Sequence, residues 1–263
     1  MVKREINISV ADGVIDAAIF TPSSIVKTSS YPPVIMFTDI GGVRPATEQK
    51  AQCIAEMGYS VLLPNIFYRS RKGSVIPLGR CFDEAEVLPT LVDYGRHLTP
   101  EALSRDFIGL IDTVRNELEF KPGGIGTVGY CRGGGIAMRL AALYPEAVVA
   151  AAGYHSSRLA DINDPHSPML VVDRIAARVY LGHADNDIYL PPEQIAIFDR
   201  ALAQSGVHFI TELYSGYSHG FTTLDAGAYA EKADLLHLKR LQMLFEETLG
   251  SKPDQALENL GAH

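Results

Sequence analysis

Polar and apolar residues alternate over 4–10, Asp12-Gly13 follows, and then the strand-like run Val14–Phe20. A period of two predicts a half-buried strand, and the Asp-Gly pair predicts a tight turn joining it to the second as a hairpin. Residues 21–33, rich in Ser, Thr and Pro, read as a surface loop. The pattern then changes. Val34-Ile35-Met36-Phe37-Thr38 is a short apolar run, the signature of a strand covered on both faces in a parallel sheet. A helix is expected over 46–57, stopped by Gly58, with the next strand over 59–64.

Residues 65–98 carry scattered Arg, Gly and Pro and no sustained period; part of the stretch, around 82–94, has helical spacing. A connection this long inside a compact domain tends to be functional. Beyond it the period alternates between element types. Helices are predicted over 99–118, 132–144, 193–204 and 226–249, and strands over 125–130, 147–154, 177–182 and 207–214. Thr99-Pro100-Glu101 supplies the start signal of the first of these helices. A loop is expected over 155–175, and a loosely held tail after Gly250. Alternation of strand and helix from 34 to 249 predicts a single α/β domain over 1–263, with a mostly parallel sheet and helices on both faces. Reactive groups in such sheets gather at the carboxyl ends of the strands.

Composition narrows the classes of function. Hydrophobic residues make up 47% of the 263, enough for a sizeable core, and the net charge of −8 comes without a basic stripe. Nucleic acid is therefore not an expected partner, since phosphate binding needs clustered Lys and Arg. No apolar run is long enough to span a bilayer and no secretory signal is visible, so no membrane association is expected. The three cysteines, Cys53, Cys81 and Cys131, form neither a disulfide framework nor a metal-ligand spacing. The expected setting is cytoplasmic, with free thiols and no metal or organic cofactor.

Chemistry enters at Gly129-Tyr130-Cys131-Arg132-Gly133-Gly134-Gly135, between a predicted strand and a predicted helix. This is the glycine-flanked nucleophile elbow, with Cys in place of the commoner Ser. The bend is sharp enough that side chains two positions either side of the nucleophile would clash. A helix N-terminus beneath the sulfur favours the thiolate, its reactive form. Two later loops carry partners. In Gly182-His183-Ala184-Asp185-Asn186-Asp187, Asp185 is the favoured acid and Asp187 its rival. In Ser218-His219-Gly220-Phe221, His219 follows the last strand and precedes the final helix. Nucleophile, acid, histidine is the chain order of the α/β-hydrolases, which is the fold predicted here. His155, at the end of the strand after the elbow, is a candidate pocket residue, as is Tyr130.

These stretches, with Asp39-Ile40-Gly41-Gly42-Val43 and His219-Gly220-Phe221, resemble the dienelactone hydrolases (carboxymethylenebutenolidases) over most of the chain. The resemblance implies a Cys131–Asp185–His219 triad and an oxyanion hole formed by the backbone N–H groups of Ile40 and Arg132. It implies a thiol-gating carboxylate at Asp39, where the family carries the longer Glu. It also implies arginines that hold a substrate carboxylate. The family's Arg four residues after the histidine is Thr223 here, and among Arg69, Arg71 and Arg80 of the long loop, Arg80 is the candidate taken forward. The expected function is hydrolysis of a small ester or lactone through an acyl-thioester. A general carboxylesterase or thioesterase, and a non-catalytic ligand-binding protein on the same fold, are the competing readings.

Overall fold

The computed structural model describes residues 2–23, 30–77, 80–82 and 84–250. Part of the 21–33 loop and the tail expected after Gly250 lie outside the described residues. Strands β1 (Val2–Val10) and β2 (Gly13–Thr21) form the antiparallel hairpin, with Val10 opposite Gly13. β2 pairs antiparallel with β4 (Ser60–Pro64). From there β3 (Pro33–Phe37), β5 (Ile125–Tyr130), β6 (Val148–Tyr154), β7 (Arg178–Asn186) and β8 (Phe209–Ser218) continue in parallel, giving the order β1-β2-β4-β3-β5-β6-β7-β8.

The continuous apolar runs serve both faces by alternation. Val34 and Met36 of β3 join one core with Ala51 and Ile54 of α1 (Pro45–Glu56) and Leu241 and Phe245 of α6 (Glu231–Leu249). Ile35 and Phe37 join the opposite core with Phe107 of α3 (Pro100–Asn116), Leu140 of α4 (Arg132–Leu143) and Phe198 of α5 (Pro192–Gln204). Phe37 and Phe107 meet with ring centroids 6.1 Å apart, and each ring buried this way contributes about 2 kcal/mol. Thr99 caps α3 as expected, its hydroxyl accepting from the Ala102 N–H at 3.2 Å.

The chain reverses its direction of travel across the sheet between β3 and β5. β3 leads through α1 to β4 on one side, whereas β5, β6, β7 and β8 build outward on the other. The crevice at such a switch point is where open α/β sheets bind ligands, and here it holds the ends of β3 and β5.

Four boundaries differ from those expected. The helical part of the long loop is only α2 (Leu88–Tyr94), followed by a 3₁₀ turn over Gly95–His97. α6 starts at Glu231, because 226–230 are folded into turns in which Ala230 N–H bonds back to the Phe221 carbonyl at 3.0 Å. β7 and β8 run four residues further than expected, to Asn186 and Ser218. Their polar ends read as loop, but each supplies the other's backbone partners, with a shift in register between Ala184 and Asn186.

Candidate active site

The elbow is built by contact as much as by dihedral angle. Cys131 sits at the N-terminus of α4 with φ 53 and ψ −117, a strained conformation for a residue with a side chain. A Cβ at Gly129 would lie 1.9 Å from the Gly133 carbonyl oxygen, and one at Gly133 would lie 2.5 Å from the Phe37 carbonyl oxygen. Both glycines are therefore required for the turn to close. Its backbone is pinned further by Cys131 N–H on the Tyr154 carbonyl at 3.1 Å and by Ser157 N–H on the Cys131 carbonyl at 3.2 Å.

His219 follows the end of β8, with its side chain only 15% exposed. Its Nδ1 bonds Asp187 Oδ2 at 2.7 Å, and its Nε2 is buried without a hydrogen bond of regular geometry. Burial pushes the imidazole pKa down, but the negative charge of Cys131 when ionised, together with the hydrogen bond to Asp187, outweighs it and lifts the value to about 10. The pair is thus arranged as a proton donor facing a sulfur nucleophile. Tyr189 packs edge-on against the imidazole at 4.8 Å.

The carboxylate that holds His219 is Asp187, not the favoured Asp185. The longer β7 explains the exchange. Asp185 lies within the strand, where its Oδ2 accepts the Gly216 N–H of β8 at 2.8 Å, a donor near the register shift. Asp187 is the first residue past the strand and is free to turn towards His219, while its Oδ1 accepts the Tyr189 N–H at 2.8 Å.

Three further expectations are corrected. Asp39 bonds to Arg44 rather than to the thiol: both its oxygens are taken by the Arg44 guanidinium, at 2.7 and 2.9 Å, and one also accepts the Gly41 N–H. Tyr130 lies in the core shared with α1 and α6, because alternation along β5 turns it away from the elbow. Its hydroxyl meets His237 Nε2 at 3.0 Å, beside the Asp234–Lys50 ion pair. Arg80 sits apart from the cavity described below, with its guanidinium held at 2.7 Å by Glu86 and also by Glu84.

His155 is fully buried beneath His219 rather than on a cavity wall. The rings meet at 5.2 Å, and His155 Nε2 contacts the Thr222 hydroxyl at 2.7 Å. Burial, and then the charge of His219, hold its pKa well below the ordinary value, so it supports the base as a neutral ring. Its φ of 36 is left-handed, as is that of Arg158 three residues on. Such strain needs a surrounding structure that over-determines it.

Cys131 opens onto a cavity of about 490 Å³ whose wall includes Ile40 and Arg132. Arg132 is the first residue of α4, so helix geometry leaves its N–H without an intrahelical acceptor. Part of the cavity lining is apolar, from Leu88, Val92 and Tyr189. The lining is also basic, from Arg96, Arg132 and Arg158, with His166 beside them, and among the described residues no acidic side chain lines it. The Arg132 guanidinium reaches across to donate to the Gly95 carbonyl at 2.8 Å. Arg158 is half exposed and paired with Asp164. Sequence reasoning misses Arg96 and Arg158 because both lie in irregular stretches, where no period says which way a side chain points. Among the described residues, no three His, Cys, Asp or Glu side chains converge as a metal site, and no helix is long and apolar enough to cross a membrane.

Comparison with known proteins agrees with this architecture. The profile of the dienelactone hydrolase family matches residues 15–249. A carboxymethylenebutenolidase of Rhodococcus opacus is 28% identical over 195 residues, covering 74% of this chain and 71% of its own. Two solved structures share the fold over nearly all of both chains. A dienelactone hydrolase-like promiscuous phosphotriesterase from metagenomic libraries superposes with a TM-score of 0.76 at 18% identity, covering 95% of this chain and 99% of its own. A dienelactone hydrolase of Anabaena variabilis superposes at 0.63 and 18%, covering 94% and 98%.

Proposed function

Since this chain belongs to the dienelactone hydrolase family and is a carboxylic ester hydrolase, we propose that it cleaves a small ester or lactone bearing an anionic group, with Cys131 as nucleophile, His219 as base and Asp187 as the orienting carboxylate. The observation that carries this reading is His219, fixed through Nδ1 at 2.7 Å to Asp187 and close enough to the elbow for the charge of Cys131 to act on its ring.

The reaction runs in two acyl transfers. The Cys131 thiolate attacks the carbonyl carbon, and the π electrons move to oxygen, where the N–H groups of Ile40 and Arg132 receive the charge. These donors act most strongly in the transition state, where that charge is largest. Collapse forms the thioester and breaks the C–O bond, and the leaving oxygen takes the Nε2 proton of His219. Neutral His219 then accepts a proton from water as the water attacks the thioester. The second collapse frees a carboxylic acid, which gives its proton to solvent, and returns the thiolate beside an imidazolium. Asp187 keeps the Nδ1–H tautomer throughout. Positioned proton transfer of this kind contributes about 10²–10⁴-fold.

The basic residues of the cavity lining, with no acid among its described lining residues, support an anionic substrate. The apolar residues support the broader reading of a carboxylesterase or thioesterase that needs no charge on the substrate. Matched lactones with and without a carboxylate separate these two, the first reading requiring a clear preference in kcat/KM for the anion. The nucleophile is tested by Cys131→Ala, expected to leave almost no turnover, and by the mass of an acyl adduct on Cys131 in rapidly quenched enzyme. Normal turnover in Cys131→Ala would return weight to a non-catalytic binding role for this pocket. Cys53, Cys81 and Cys131 are all free thiols, and a reducing, cytoplasmic setting suits a cysteine nucleophile.

A further inference from the structure

Arg44 precedes α1, far in sequence from Cys131, Asp187 and His219, yet it lies between the two loops that flank them. Its side chain is 3% exposed. Nε and one terminal nitrogen hold Asp225 at 2.8 and 2.9 Å. The terminal nitrogens also hold Asp39 at 2.7 and 2.9 Å, and one reaches the Gly42 carbonyl at 3.2 Å. Both edges of the guanidinium fork are thereby filled. A Cβ at Gly41 would lie 2.7 Å from the same guanidinium, so the absence of a side chain there is what admits it.

The two carboxylates differ in what they carry. Asp39 immediately precedes Ile40, the oxyanion donor on the cavity wall, whereas Asp225 lies six residues after His219. Asp39 is buried, with its side chain 6% exposed, while that of Asp225 is 41% exposed. An unpaired Asp39 would set a poorly solvated negative charge next to a site that must hold a thiolate and then an oxyanion. Like charges at short range in a low dielectric oppose each other strongly.

We propose that Arg44 is a positioning residue that neutralises Asp39 and turns it from the thiol, so that Cys131 is ready to react before any substrate arrives. The inference rests on Cys131 being the nucleophile, and it assigns Arg44 and Asp39 as a linked pair. The same guanidinium ties the Ile40 loop to the His219 loop, which keeps donor and base in one frame.

The test is the rate at which iodoacetamide alkylates Cys131 in the substrate-free enzyme. The thiolate sulfur forms the S–C bond and iodide leaves. Peptide mass spectrometry resolves Cys131 from Cys53 and Cys81. Wild type is expected to react at neutral pH without substrate. Arg44→Met, which strands the Asp39 charge, is expected to slow the reaction about tenfold or more, the thiolate fraction lost per unit of pKa rise. The double variant Arg44→Met/Asp39→Asn removes that charge and is expected to recover to within about threefold of wild type. Stranding a buried charge can itself unfold a protein. Arg44→Lys keeps a cation and is expected to fold and to react at an intermediate rate, and the double variant leaves no buried charge to pair. A double variant as slow as Arg44→Met, or Arg44→Lys and the double variant both well below wild type by the same factor, overturns the linkage and leaves Arg44 a structural brace. Wild-type Cys131 that alkylates only when a substrate is added also overturns it. Failure of the nucleophile reading looks different: full alkylation of Cys131 would then leave hydrolysis intact, whatever the ratios among the variants.

Discussion

The two halves of the site are built in opposite ways. At the end of β5 the elbow is closed by backbone against backbone: Gly129 on Gly133, and Gly133 on the end of β3. At the ends of β7 and β8 the chain is open. Gly216 has φ +84, and a Cβ there would meet nothing within 4 Å. The geometry on this side is set by side chains, Asp187 on His219 and Asp185 on Gly216. Cys131, the proposed nucleophile, is thus placed by exclusion, and the proposed acid and base by hydrogen bonds. The first kind of placement tolerates no added atom. The second tolerates atoms but not a change of hydrogen-bonding partner.

The largest effect expected from this contrast is on folding. Gly129→Ala is expected to cost more than about 4 kcal/mol, since the new Cβ meets a carbonyl that cannot withdraw, and to leave little folded protein. Gly216→Ala meets only its own left-handed backbone and is expected to cost about 1 kcal/mol. Urea denaturation of the pair measures the difference, and similar midpoints would break the comparison.

Next in size is the exchange of acids. Asp187→Asn is expected to lower kcat by about 10²–10⁴-fold by releasing the histidine tautomer. Asp185→Asn keeps an acceptor for Gly216 and is expected to lower kcat less than about tenfold, with a stability loss of about 1 kcal/mol. If Asp185→Asn proved the more damaging to kcat, the assignment from geometry would be wrong. A smaller effect is expected at the basic wall: Arg158→Ala should raise KM for a carboxylate-bearing lactone about tenfold and leave a neutral analogue unchanged, a charge-assisted contact being worth about 1.5–3 kcal/mol.

The smallest concerns His183 of β7, both of whose ring nitrogens are buried without partners among the described residues. Burial holds its pKa down to about 4 from 6.5, with Asp187 acting weakly the other way. Between these values the unfolded chain takes up a proton that the folded chain refuses. Stability is therefore present above pH 6.5 and lost as pH falls towards 4. His183→Leu is expected to raise stability by about 1–3 kcal/mol and to flatten part of that acid slope, read from urea midpoints across the window. An unchanged slope would assign the acid sensitivity to His155 and His237, whose pKa values burial also lowers.

The same contrast explains what can be read from the chain alone. Cys131 and its glycines are legible because steric exclusion writes itself into sequence as missing side chains. The hairpin, β3 and α3 are legible because a period or a cap marks them. The choice between Asp185 and Asp187 is not, because it turns on where β7 ends. A strand that stops at Gly182 favours Asp185. Nothing local announces that polar residues 183–186 find partners along β8, and those four further residues of strand change which carboxylate reaches the histidine. Arg44 leaves no signal either: its partners stand 5 and 181 residues away, and only the folded chain brings them to one guanidinium. Tyr130 falls outside the pocket for a simpler reason, since adjacent positions of a strand face opposite sides.

Arg132 belongs to both floor and ceiling of the cavity. Its amide begins the helix under Cys131, while its guanidinium grips the Gly95 carbonyl 2.8 Å away in the turn that follows α2. Entry of a bulky molecule that lifts this turn must stretch or release that grip. Under the proposed mechanism, admission of substrate and the poise of the amide that greets its developing charge are therefore mechanically joined through one side chain.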